Sequence, residues 1–500
     1  MPMLHYEGSG PRFATVLFMS GTPLSPNVGA FPYPLRQRGA SASAPPAGKT
    51  APGFVEESTP WLIALLLLLD VYVIGSRAPE VLYVIGGIRV PLWPVLLNIA
   101  AFFCVFAGGE IRRVFFSKTS ISLILFTGWV MFVLPFSYDR SASFGVLTRS
   151  WLPSMLVFYV VSGNTRTMRL LKTVGLVVGL CSLQIAVISF LLGKSLKDRF
   201  SMEIGTLGNA NDLAALLLFG FPFLLYRAIR PGAGIFMQLL AGGVGGLVLL
   251  LVLRTGSRSG VLTIVLIGLM GILWSTWQVR VKVLLAGALS LMLVLPFVPA
   301  YSMQRIMTLV ESNDDEMTGA EGEAEASRRS RTELFLTSVR LAFTHPFTGV
   351  GIGQFQAAEY RDAISSGRRA KWLAPHNTLT QVASENGLPA LLLYGFFLAA
   401  ALRRVDRARR MWRQMEGWSD NYYVAMCLEL AMIGYVFNSM FGSNAYLPYI
   451  PVLAGLGEAS HRLVERRRAQ MLTASSPARP TPAPRMPLPA ALPVPPRRHV

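Results

Sequence analysis

Cysteine is almost absent. The three present, Cys104, Cys181 and Cys427, all lie in apolar stretches without CxxC or other paired spacing. That excludes a disulfide framework and a thiolate metal site, and leaves the three as apolar filler. Charge is scarce as well, at 15% of residues against 52% hydrophobic, which is not the composition of a soluble globular domain. Acids are the scarcer sign, 27 against 46 Lys and Arg, for a net charge of +19. Residues 1-58 lack the basic-then-apolar order of a cleaved leader, so the first apolar run is expected to direct insertion itself.

What the chain has in abundance is apolar runs long enough to cross about 30 Å of hydrocarbon. Twelve are predicted: 59-76, 91-109, 119-137, 146-163, 171-193, 211-228, 233-253, 259-278, 281-300, 386-402, 422-441 and 445-459. The expected architecture is therefore an all-α polytopic membrane protein. It divides into a disordered tail (1-58), nine helices (59-300), one long helical loop (301-385), three further helices (386-459) and a basic, then Pro-rich, disordered tail (460-500).

The location of the positive charge decides what it means. Alternate connections carry Arg112, Arg113 and Lys118; Arg166, Arg169 and Lys172; Arg227 and Arg230; Arg280 and Lys282; and six arginines from Arg403 to Arg413. By the positive-inside rule these loops and both termini face the cytoplasm, so the charge reports orientation and anionic lipid, with no nucleic acid partner. The 301-385 loop then faces outward.

Ionisable groups within the runs are few: Asp70, Arg149 and Glu429. A coupled transporter needs several near the midplane, with paired broken helices; Glu429 is the main residue favouring one. Polar groups collect instead in the outward loops. GTLGNAND (205-212) precedes the sixth run, and RTGSRSG (254-260) joins the seventh and eighth. The long loop reads in three parts. An acidic stretch from Glu311 to Glu325 is expected to be flexible and solvated. SRRSRTELFLTSVRLAFTHP is expected to form an amphipathic helix with Phe335, Val339 and Ala342 on one face and Arg331 in its first turn. In TGVGIGQF, Gly349, Gly351 and Gly353 mark a tight turn where backbones approach closely, because no strand precedes it as a dinucleotide loop requires. In APHNTLTQVASENGLPALLLYG, Asn377 or Thr378 caps a short helix ending at Asn386-Gly387, and Pro389 falls in the first turn of the next. His376 thus stands at the mouth of a membrane helix.

These motifs together, SRSG, R-x-x-x-F, HPFTGVGIGQF and HNTLTQVASENGLPALLLY, resemble the O-antigen ligase and polymerase superfamily, most specifically from Gly205 to Tyr394. The resemblance implies an inverting glycosyltransferase of all-helical C-type fold in the bacterial inner membrane. Such an enzyme moves a glycan from undecaprenyl diphosphate to a hydroxyl on lipid A core, on another glycan or on protein. By motif, Arg258 and Arg331 match the family's two functional arginines and His376 its acceptor-activating histidine. Asn211, Asn377, Arg149 and Lys197 are the expected substrate-binding residues. No cofactor or metal is expected, because arginines neutralise the departing diphosphate. Phe335 stands where the family often has Trp. The competing readings are a polysaccharide or lipid-carrier transporter and a silent scaffold among other envelope polysaccharide assembly proteins.

Overall fold

The computed structural model describes residues 59–88, 93–107, 111–196, 199–202, 205–309 and 320–475. The calls on residues 1-58, the Pro-rich tail from 476, the acidic residues 311–319 and Lys197 lie outside the described residues.

Helix dominates. In chain order the elements are α1 (Trp61–Ser76), α2 (Ala78–Gly86), α3 (Trp93–Phe106), α4 (Ile111–Phe115), α5 (Lys118–Val133), α6 (Arg140–Val146), α7 (Leu152–Asn164) and α8 (Met168–Leu192). A π-helical turn, Leu147–Trp151, fuses α6 to α7. There follow the hairpin β1 (Lys194–Leu196) and β2 (Arg199–Ser201), then α9 (Ala210–Phe219), α10 (Phe221–Ile229), α11 (Ile235–Arg254), α12 (Arg258–Leu273) and α13 (Trp277–Val294). The last six helices are α14 (Ala300–Met307), α15 (Ala320–Thr344), α16 (Phe355–Ser365), α17 (Thr378–Glu416), α18 (Asp420–Ser439) and α19 (Tyr449–Ser475). Among the described residues, seven helical segments are long and apolar enough to cross a membrane, and three shorter helices are apolar too.

Helix starts follow local chemistry. Ser117, Asp139, Thr167, Asn209, Ser257, Thr276, Asn377 and Ser419 each accept a backbone N–H at the start of the helix they precede. The buried core runs through α5, α7, α9, α17, α18 and α19, with Trp151, Tyr394, Phe397, Trp412 and Tyr449 wholly enclosed. By contrast α13 buries only Val294 and leaves Leu284, Leu285, Met292 and Leu293 exposed, the surface expected of a helix whose solvent is hydrocarbon.

Of the ionisable groups inside the bundle, Glu429 is paired by a neighbouring helix, whereas Oδ2 of the buried Asp70 has no hydrogen-bond partner among the described residues. Glu429 accepts from Arg409, whose guanidinium lies 4.0 Å from the centre of the Trp274 ring. That occupies the residue on which the transporter reading rests.

Three expectations are corrected. Arg331 is not in a first turn: α15 starts at Ala320, because Ala and Glu in GAEGEAEA are strong helix formers and Glu325 pairs with Arg328 and Arg329. The buried face of α15 carries Leu334, Thr337, Ser338, Leu341 and, as expected, Ala342, while Phe335 is exposed. Residues 460-475 are not a disordered tail but continue α19, with His461 and Val464 buried. The β1–β2 hairpin is an addition that periodicity did not reveal, being only three residues a strand.

Candidate active site

The RTGSRSG junction builds the centre of the site. Ser257 caps α12, accepting from Gly260 N at 3.3 Å, and its hydroxyl donates to Asn211 Oδ1 at 3.0 Å. Arg258 therefore occupies the first turn of α12, where helix dipole and guanidinium both favour an anion. Its own protein contacts are long, 3.4 Å to Thr308 Oγ1 and 3.5 Å to the Ala324 carbonyl. Gly256, at φ +57°, lets α14 close in: a β-carbon there would meet Arg305 Cδ at 3.1 Å.

Three more guanidiniums converge on Arg258. Arg199, from β2, donates to the Thr255 carbonyl and to Asn211 Oδ1, each at 3.1 Å. Arg305 from α14 is 4% exposed, and its Nε has no hydrogen-bond partner among the described residues. Arg331 from α15 lies within electrostatic reach of Arg258, Arg305 and the Asp212 carboxylate. Burial, and then the neighbouring guanidiniums, push the pKa of Arg331 down to about 10, and Arg199 is pushed to about 10 for the same reasons. Both stay protonated at neutral pH, so the cluster holds more positive charge than its own acids balance.

His376 stands beside this cluster. Its backbone N–H donates to Ser443 Oγ at 3.0 Å, and its φ of +53° is a strained conformation for a residue with a β-carbon. It lines a cavity of about 230 Å³ together with Arg77, Asp212, Tyr435, Ser443 and Tyr449. Burial, reinforced by the Arg331 guanidinium, lowers its pKa to about 4. The imidazole is consequently neutral near pH 7 and free to accept a proton.

The glycine loop and the ENGLP segment hold these parts in place. Val350 N donates to the Ser384 carbonyl at 2.9 Å, Gly351 N to Glu385 O at 2.8 Å and Leu388 N to Pro346 O at 2.7 Å. Glu385 accepts from Gly353 N at 3.0 Å and Tyr446 OH at 2.7 Å. Gly387, at φ +84°, breaks α17 where expected, and a β-carbon there would come within 2.2 Å of the Phe347 carbonyl oxygen. His345 is bonded to Tyr138 and Thr344.

Of the residues singled out by sequence, Arg258, Arg331, His376 and Asn211 come together. Asn211 spends its oxygen on Arg199 and Ser257, so it orients a guanidinium. Asn377 is committed to the protein: it caps α17 through Leu379 N and Thr380 N, each at 3.0 Å, and donates to the Met440 carbonyl. Arg149 is exposed on the π-helical turn and takes no part in the contacts that join the cluster. Arg199, Arg305, Asp212 and Arg77 were missed. For the three arginines the one legible signal was sign, since they fall in loops assigned to the outer side, where the positive-inside rule expects few; Asp212 carried no such signal. Among the described residues no group of three or more His, Cys, Asp and Glu forms a ligand set for a metal ion.

Residues 243–395 match the family model described as O-antigen ligase, in agreement with the resemblance carried by the motifs. The match contains Arg258, Arg305, Arg331 and His376, and leaves Arg199, Asn211 and Asp212 outside. It supports an activity of the O-antigen ligase or polymerase type. No curated protein matches the chain.

Proposed function

We propose that the protein is an inverting glycosyltransferase that moves a glycan from undecaprenyl diphosphate to an acceptor hydroxyl at the outer face of the bacterial inner membrane. The acceptor is lipid A core or another glycan chain, as in lipopolysaccharide ligation or repeat polymerisation. The observation that carries this reading is the convergence of four guanidiniums, only partly balanced by acids, beside a neutral histidine lining a cavity. In this reading the chain crosses the membrane twelve times with both termini inside.

His376 takes the proton from the acceptor hydroxyl as its oxygen attacks the anomeric carbon. The bond from that carbon to the diphosphate oxygen breaks, with inversion, and the diphosphate leaves as an anion. Arg258, Arg331, Arg199 and Arg305 bind that anion, and because its negative charge grows during bond breaking they stabilise the transition state more than the ground state. Asp212 offsets part of the cluster's charge when no donor is bound. Donor binding against Arg331 then screens the guanidinium that holds the His376 pKa down, which raises its basicity once both substrates are in place. No metal is needed for charge neutralisation in this scheme.

The test is transfer by purified protein in proteoliposomes, using undecaprenyl diphosphate-linked glycan. Arg258→Ala is expected to lower kcat/KM by about 100- to 1000-fold, the range for losing one preorganised donor to a developing anion. Near-normal transfer by Arg258→Ala would refute the diphosphate clamp.

A further inference from the structure

Two residues beyond Arg331 on α15, the chain lines a second cavity, of about 260 Å³, which the chemistry above does not use. Glu333 and Thr337 form one wall, Glu359 on α16 another, and Arg368, Arg369 and Lys371 the third. The loop that carries the third wall is built with care. Glu359, only 3% exposed, accepts from the backbone of Lys371 at 3.2 Å and of Trp372 at 3.1 Å. Lys371 closes an ion pair with Glu333, and Asp362 joins Arg340 to Arg368. Arg369 has no partner among the described residues.

These anchors hold Trp372 at φ +50°, a left-handed conformation that costs a side-chain-bearing residue of order 1–3 kcal/mol. The ring is left 56% exposed beside Tyr360, with centroids 5.6 Å apart and planes at 81°. Neither ring lines the cavity itself, but the Trp372 backbone is bonded to Glu359, which does, and a large exposed aromatic at a strained position directly after the cavity's third wall is an arrangement that packing alone does not call for. A sugar ring needs all of it: donors and acceptors together for its hydroxyls, and an aromatic surface for its C–H face. Trp372 is followed four residues later by His376, so their Cα atoms lie within about 14 Å of each other.

We infer that the cavity walled by Glu333, Glu359, Arg369 and Lys371, with Trp372 and Tyr360 at its edge, is a saccharide-binding subsite that holds acceptor sugar residues distal to the attacking hydroxyl. The assignment of the sugar to the acceptor rests on the proposed transferase reading. A contact of the same aromatic pair with the lipid surface is the alternative occupant, but a membrane contact has no use for a cavity walled by two glutamates.

The probe is a set of oligosaccharides released by mild acid from the envelope polysaccharide of the source strain. It is titrated calorimetrically against full-length His376→Ala protein in nanodiscs, which takes catalysis out of the readout. That protein is expected to bind the probe, and Trp372→Ala or Arg369→Ala added to it is expected to weaken binding at least tenfold, with Trp372→Phe retaining most of it. Arg369 is exposed and unpaired, so its variant tests the subsite without disturbing the loop. In otherwise wild-type enzyme the same changes are expected to raise KM for acceptor and leave KM for donor unchanged. Equal binding by all variants, no binding by the parent, or quenching of Trp372 by brominated lipid would each overturn the subsite. Trp372-dependent binding together with no glycan transfer by the otherwise wild-type protein would instead refute the transferase reading and leave the subsite standing.

Discussion

His376 owes its charge state to its neighbours more than to itself. Burial and Arg331 hold its pKa at about 4, below the ordinary 6.5. The neutral form is the base, so the acid limb of kcat/KM belongs near pH 4 and not near 6.5. Replacing Arg331 by Gln removes a repelled positive charge from beside the protonated ring, which must raise the titration point toward 6.5. Histidine-selective NMR, tractable with five histidines, is expected to show that upward shift, with His376→Ala identifying the resonance. An unmoved titration would mean that Arg331 does not face His376. Arg305 makes a second residue-scale case. Its buried Nε lacks a partner among the described residues, so Arg305→Lys, which keeps the charge and loses the planar fork, is expected to weaken undecaprenyl diphosphate binding about tenfold. At this scale the sequence showed the residues carried by motifs and hid those brought in by folding. Arg199 sits on a hairpin of three-residue strands, and no pattern along the chain places it beside Arg258.

Among the elements, the bend in α17 shows how much geometry depends on one glycine. The ENGLP turn was legible, because Asn-Gly ends helices and Pro opens them. Its purpose was not, since that lies in the HPFTGVGIGQF loop stacked against it. Gly387→Ala forces a left-handed β-carbon against the Phe347 carbonyl. It is expected to lower stability by more than about 1–3 kcal/mol, read as a lower thermal midpoint in detergent together with loss of transfer. An unchanged midpoint would contradict the clamp described for this turn. α15 was misread in a way that physical chemistry explains. Acidic composition signalled solvation, but alternating Ala and Glu extend a helix readily, and the extension puts Arg331 in mid-helix with Leu334 and Leu341 as its buried anchors.

At the scale of the whole molecule, helix and apolarity were legible because the bilayer makes both obligatory. Which helices cross was less so: α12 has 16 residues, and α17 runs on for 39, well past its apolar run, into the arginines. The proposed topology predicts that a cysteine at Gly367 is labelled by an impermeant maleimide in intact spheroplasts, and that one at Arg410 is labelled only after lysis. The reverse pattern would place the site on the cytoplasmic side and refute the assigned orientation. Central to the account is that a diphosphate clamp stands beside a histidine base, with Arg331 within electrostatic reach of both Arg258 and His376. Single-turnover transfer by His376→Ala in proteoliposomes, with undecaprenyl diphosphate-linked glycan prebound, tests that most directly. The account predicts donor affinity close to wild type and transfer slowed by about 100- to 10,000-fold, the contribution of a positioned general base. Transfer at the wild-type rate would contradict it.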